Sequence, residues 1–231
     1  MIRFEGMTRE VMEAMCTPMH QILPTRYPHS SSPTIRSVNQ ISSTGMPSGN
    51  LFLGSMSATM DHELLKRHHI THVVQVIDGP WIPISEKDGF LCLRIDIHDK
   101  PSADLKPHLE GACQYIATAL ASGGNVLVHC QQGISRSPAI VIAYLIYNLG
   151  LSYDHAHALV KRHRPCVNPN PGFVAALRAW ENKWRSTTPP PPQFRRANTS
   201  YVSLGSGGGA IEGDVVVSHP PPFARGMSFS S

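Results

Sequence analysis

Cys130, Gly133 and Arg136 recur at three-residue steps in the run Val128-His129-Cys130-Gln131-Gln132-Gly133-Ile134-Ser135-Arg136-Ser137-Pro138. A β-prone stretch (residues 125–129, NVLVH) precedes the loop, and an apolar, helix-prone stretch (residues 137–149) follows it. A strand that turns tightly into a helix N-terminus aims consecutive backbone N–H groups into one concavity, above the positive end of the helix dipole. Such a concavity is a cradle for an anion. Gly133 lets the turn close and lets a ligand approach the backbone. Arg136 is expected to fold back over the loop and fork onto a tetrahedral dianion through two parallel N–H bonds, which lysine cannot do. Cys130 falls at the floor of the cradle, the kind of place where helix N-termini and cations favour a thiolate. The chemistry implied is attack by sulfur on phosphorus, with the phosphate held by Gln131, Gln132, Gly133, Ile134, Ser135 and Arg136. Ser137 is placed to donate its hydroxyl to the sulfur and so help the thiolate leave in a second step. His129 reads as a structural hydrogen-bonder that fixes the loop.

The elements that must position this loop alternate in period. Residues 50–54 and 72–77 are short β-type runs separated by a polar, helix-prone stretch over 58–68. Residues 90–97 alternate, with Leu91, Leu93, Ile95 and Ile97 on one side and Cys92, Arg94 and Asp96 on the other. From about Asp104, Leu105, Leu109, Ala112, Cys113, Ile116 and Leu120 form a helical stripe that Gly123 and Gly124 end. The helix after the loop has Ser137 as its expected N-cap and Gly150 past its last turn. Two further helices are expected, one opening at Ser152 and one at Asn170-Pro171 with Phe173, Leu177 and Trp180 facing inward. Strands alternating with helices predict an α/β domain over residues 48–185.

The loop fits the pattern HCxxGxxR, and with its serine-flanked arginine and buried IVIAYL-type helix it resembles the small, atypical dual-specificity protein phosphatases of the cysteine-dependent tyrosine phosphatase superfamily. Leu51-Phe52-Leu53-Gly54-Ser55, Ile70-Thr71-His72-Val73-Val74, the Asp-bearing turn near Lys100, and Asn168-Pro169-Asn170-Pro171-Gly172-Phe173 follow in that family's order. The resemblance implies a single α/β domain with a central twisted mixed sheet of about five strands flanked by about six helices. It also implies a general-acid aspartate about thirty residues before the cysteine, beyond a strand. Asp96 lies within the alternating strand. Asp99 lies past its end, 31 residues before Cys130 (130 − 99), and is taken as the acid and later the base. The implied activity is hydrolysis of phosphotyrosine and phosphoserine/phosphothreonine monoesters through a cysteinyl-phosphate, with no cofactor and no metal. Two alternatives stand beside it: a catalytically weak phosphoprotein-binding scaffold, and a phosphatase acting on a non-protein phosphomonoester. The variable loop positions Gln131, Gln132, Ile134 and Ser135 add no cation for a multiply charged lipid or RNA end, which favours a protein substrate. Some relatives pair an oxidised nucleophile with a second cysteine; Cys92, Cys113 and Cys166 are the candidates.

Composition narrows the class. The 231 residues are 41% hydrophobic, enough for a core, and carry a formal net charge of only +4, too mild to imply nucleic acid. No apolar run approaches the roughly 20 residues of a membrane span. Glu5, Arg9 and Glu13 interrupt any secretory signal. Five scattered cysteines form neither a disulfide framework nor a CxxC half-site. An intracellular protein, in the cytoplasm and/or nucleus, is expected. The histidines His62, His68, His69 and His72 lack a completing carboxylate or cysteine and are expected at the solvated surface rather than around a metal. Residues 1–47 are expected to be a mostly disordered extension. Residues 186–231 are expected to be a disordered Pro/Gly/Ser-rich tail whose proline runs, 189–192 and 220–222, serve as linker or dock a proline-recognition module.

Overall fold

A computed structural model describes residues 6–23, 49–80 and 83–187, all within one compact unit. The elements run α1 (Arg9–Cys16), β1 (Met19–Leu23), β2 (Leu51–Ser55), α2 (Met56–Met60), α3 (His62–Arg67), β3 (Ile70–Val76), a 3₁₀ turn (Glu86–Asp88) and β4 (Leu91–Ile95). They continue as α4 (Lys106–Ala121), β5 (Asn125–Cys130), α5 (Arg136–Leu149), α6 (Tyr153–His163) and α7 (Pro171–Thr187). The strands form one mixed sheet in the order β1-β2-β5-β3-β4. β2, β5, β3 and β4 are mutually parallel, and only β1 runs antiparallel.

The central strands are apolar on both sides because both faces are covered. Leu51, Leu53, Val74, Val76, Val126 and Val128 point into the larger core with α4, α5, α6 and α7, while Phe52, Val73 and Leu127 point into a smaller one with Ala58 of α2 and Leu65 of α3. α5 is buried along its first eleven residues, 136–146, since it lies between the sheet and the other helices. Gly150 ends it in the left-handed conformation, φ 64°. Ser152 caps α6 through His155 N, and the Asn170 side chain caps α7 through Phe173 N. The expected α/β class, mixed five-stranded sheet and helix faces are those observed, with seven α-helices among the described residues.

Two expectations need correction. Residues 1–47 are not wholly an extension: α1 opens on a Thr8 cap, and β1 pairs with β2, burying Met19, Ile22 and Leu23. This strand is too short for a readable period, and its order comes from pairing with a strand some thirty residues on. The helix-prone stretch 58–68 is helical as expected, in two pieces, because the Asp61 carboxylate accepts from Leu64 N and starts α3 anew. Ser137 is not the N-cap: α5 begins at Arg136 with Ser135 in the cap position, leaving a loop of residues 131–135. The Ser137 hydroxyl is turned to the sulfur instead. Residues 24–48 and 188–231, with both proline runs, lie outside the described residues. No helix among the described residues is long and apolar enough to cross a membrane.

Candidate active site

In a parallel sheet, the helix N-termini and loop mouths collect at the carboxyl ends of the strands. Cys130 is the last residue of β5, beside Ser55 at the end of β2. Asp78 follows β3, and Asp99 follows β4. Four strand ends therefore converge on one loop.

The sulfur of Cys130 accepts from two donors, Gly133 N–H at 3.2 Å and the Ser137 hydroxyl at 3.2 Å. Both suit a thiolate. The side chain is 2% exposed, so an attacking geometry must be reached down the cradle rather than across a surface. Burial pushes the thiols of Cys92, Cys113 and Cys166 up, and it outweighs the Gln75 side chain at Cys92 and the Arg164 charge at Cys166. All five cysteines are free.

Arg136, at the first helical position, is buried over the loop. Its Nη1 donates to Asp78 Oδ1 and, at 3.3 Å, to Ile97 O. Its Nε makes no hydrogen bond among the described residues and lies 4.0 Å from Asp99 Oδ2. Asp78 is a partner of Arg136 that the sequence reading did not single out, signalled only by its place just past a β-run. Its second oxygen bonds His98 Nδ1 at 2.8 Å, and His98, with Arg136 behind it, holds Asp78 below the usual carboxylate range.

Asp99 is brought to the loop and Asp96 is not. Asp99 Oδ1 accepts from Ser135 Oγ at 2.7 Å and from Asn170 Nδ2 at 2.8 Å. Asp96 instead faces Arg94 at 3.9 Å on the exposed side. The Asn-Pro-Asn-Pro-Gly-Phe segment does the holding: Asn168 N donates to Ile134 O (2.8 Å), and Asn170 N donates to Ser135 Oγ (3.1 Å). Gly172 allows this approach, since a Cβ there would stand 2.0 Å from Pro101 O. Gln131 and Gln132 are exposed at the loop's outer edge and line a concavity of about 270 Å³ with Met15, Ser55, Met56 and Ser57.

His129 is fully buried, and burial lowers its pKa to about 4 against the opposing pull of the Cys130 backbone. It is a neutral core residue beneath the loop. His68 packs edge-on against Phe52 and His72 against Tyr115, so two of the four neighbouring histidines have aromatic rather than ionic company.

Sheet order and loop together define the cysteine-phosphatase class of α/β domain. The family model "Dual specificity phosphatase, catalytic domain" matches residues 51–183, and the chain belongs to that family. It is 42% identical over 129 residues to dual specificity protein phosphatase MPK-4 of Drosophila melanogaster, covering 55% of this chain and 33% of that protein. It is 40% identical over 136 residues to the human serine/threonine/tyrosine-interacting protein, covering 57% and 61%. The crystal structure of human DUSP28 overlays with a TM-score of 0.56 at 38% identity, covering 58% of this chain and 90% of that one. The chain thus spans between a third and about three fifths of these two curated relatives.

Proposed function

We propose that this protein hydrolyses phosphotyrosine and phosphoserine/phosphothreonine monoesters on proteins through a cysteinyl-phosphate. The observation that carries the reading is the pair of donors, Gly133 N–H and Ser137 Oγ–H, aimed at one sulfur on the floor of an anion cradle. The substrate phosphate seats among the backbone N–H groups of 131–136, with Arg136 on its equatorial oxygens. Cys130 Sγ attacks phosphorus, the P–O ester bond breaks, and the departing oxygen takes a proton from Asp99. Oδ2 of Asp99, on the Arg136 side, carries that proton, because Oδ1 is tied to Ser135 and Asn170. Asp99 then removes a proton from water, whose oxygen attacks phosphorus, and the sulfur leaves as a thiolate that Ser137 stabilises.

The uncharged variable positions of the loop match a singly phosphorylated residue, and the concavity beside Gln131 and Gln132 offers room to its flanking chain. The proline runs 189–192 and 220–222 suit recruitment by a proline-recognition module, and reduced, free cysteines suit work in the cytoplasm and/or nucleus. Inorganic phosphate release from phosphotyrosine and phosphothreonine peptides tests the reading. The full chain should turn both over, and Cys130→Ser should bind the peptides without releasing phosphate. A chain that binds but never turns over is the scaffold instead.

A further inference from the structure

Arg164 is the largest fully buried side chain among the described residues, and the chemistry above does not use it. It caps the C-terminus of α6, and its guanidinium lies against the outer wall of the Cys130 loop. Nε donates to Gly133 O at 3.0 Å and Nη2 donates to Gln132 O at 3.0 Å. On the other side, Nη1 donates to Thr17 O at 2.9 Å and to His20 Nδ1 at 2.9 Å. Arginine has no acceptor, so His20 must accept with Nδ1 and carry its proton on Nε2. Burial, with the Arg164 charge behind it, lowers the His20 pKa to about 4, consistent with that neutral ring.

A trans peptide places its C=O and the following N–H on opposite sides. With the Gln132 and Gly133 carbonyls drawn outward to Arg164, the N–H groups of Gly133 and Ile134 must turn inward, to the cradle. The first is observed there, donating to Cys130 Sγ. The contact is tight: at Gly133, φ +69°, a Cβ would stand 2.8 Å from Arg164 Nη2 and 2.7 Å from Gly54 O.

We propose that Arg164 is a positioning residue that sets the Gly133 and Ile134 amides for an oxyanion, and that the N-terminal segment is part of this device through Thr17 O and His20. The N-terminal turn and strand thus hold the guanidinium, the guanidinium holds two carbonyls, and the carbonyls fix two donors. A lysine would keep the charge but could not bridge both carbonyls and both N-terminal acceptors.

The proposal rests on the phosphatase reading for its kinetic readout alone. The probe is sodium tungstate, titrated into the full chain while the ¹⁵N–¹H resonances of Gly133 and Ile134 are followed, alongside kcat and KM for a small aryl phosphate. In the wild-type chain both resonances should shift. In Arg164→Met tungstate affinity should fall about tenfold or more, and in His20→Leu about three- to tenfold. The His20→Leu chain, which leaves Arg164 in place, should lose less thermal stability than Arg164→Met, and it guards against a misfolded Arg164→Met. Arg164→Lys should recover less than half of the lost affinity on a logarithmic scale. Wild-type affinity and wild-type amide shifts in both Arg164→Met and His20→Leu would overturn the proposal, as would full rescue by lysine. Arg164-dependent tungstate binding without any turnover would support the positioning role and refute the phosphatase reading.

Discussion

Asp78 and Arg136 form an ion pair, Oδ1 to Nη1, across 58 positions of sequence, while the other Asp78 oxygen bonds His98. The guanidinium expected to clasp phosphate is thus already engaged by a carboxylate. An arriving dianion meets a partly neutralised cation and a negative neighbour. Asp78→Asn keeps an acceptor for Nη1 and removes the charge. Competitive inhibition by tungstate should tighten about two- to fivefold, the size of a partly exposed pair, with KM for an aryl phosphate falling alongside. Unchanged or weaker inhibition would mean that Asp78 orients Arg136 more than it competes for it.

Asp99 is held by Ser135 and Asn170 beside Arg136 and is assigned the departing oxygen's proton. A general acid contributes about 10²–10⁴-fold where the leaving group is poor. Asp99→Asn should therefore slow a phosphothreonine peptide by about that factor and a nitrophenyl phosphate, whose oxygen leaves readily, far less. Equal slowing of the two substrates in steady-state kcat measurements would assign the proton to another group.

The N-terminal strand gives the sharpest test of the corrected domain boundary. Ile22 is 1% exposed and belongs to the larger core, although it falls in a stretch whose composition reads as an extension. Ile22→Ala should lower unfolding stability by about 2–4 kcal/mol, measured by urea denaturation. A change below about 0.5 kcal/mol, the surface norm, would return this segment to the unstructured class.

These residues also mark how far sequence reaches. The Cys130 loop was legible because its cradle is built from contiguous residues, and the central strands because parallel strands covered on both faces read as apolar runs. Asp99 was legible only through the family's order. Asp78, Arg164 and the bond from Asn170 to Asp99 were not, because each contact crosses the fold, and single-sequence spacing carries no such pairing. Ser137 reaches the sulfur as expected but does not cap the helix. A serine before Pro138 reads as a cap, and only the placement of the sulfur shows that its hydroxyl is spent elsewhere.

His129 gives stability a pH dependence of known sign. The unfolded chain protonates this ring near pH 6.5 and the fold only near pH 4, so between those values the unfolded state binds more protons. The contribution is fully present above about pH 6.5 and is lost as pH falls towards 4. Its size is roughly 2 kcal/mol between pH 7 and pH 5. The wild-type urea midpoint should drop over that interval, and His129→Gln should show a flatter profile by about one proton. Parallel profiles would mean that the ring stays neutral in both states.

The covalent intermediate is the claim on which the account turns. Full-length protein mixed with a phosphotyrosine peptide, quenched in acid within milliseconds and digested, can be read by mass spectrometry for phosphate on the peptide bearing Cys130. The account predicts one phosphate on Cys130, forming and decaying with turnover and persisting longer in Ser137→Ala. Phosphate release at the wild-type rate by a Cys130→Ser chain, with no phosphocysteine in the wild type, would contradict it.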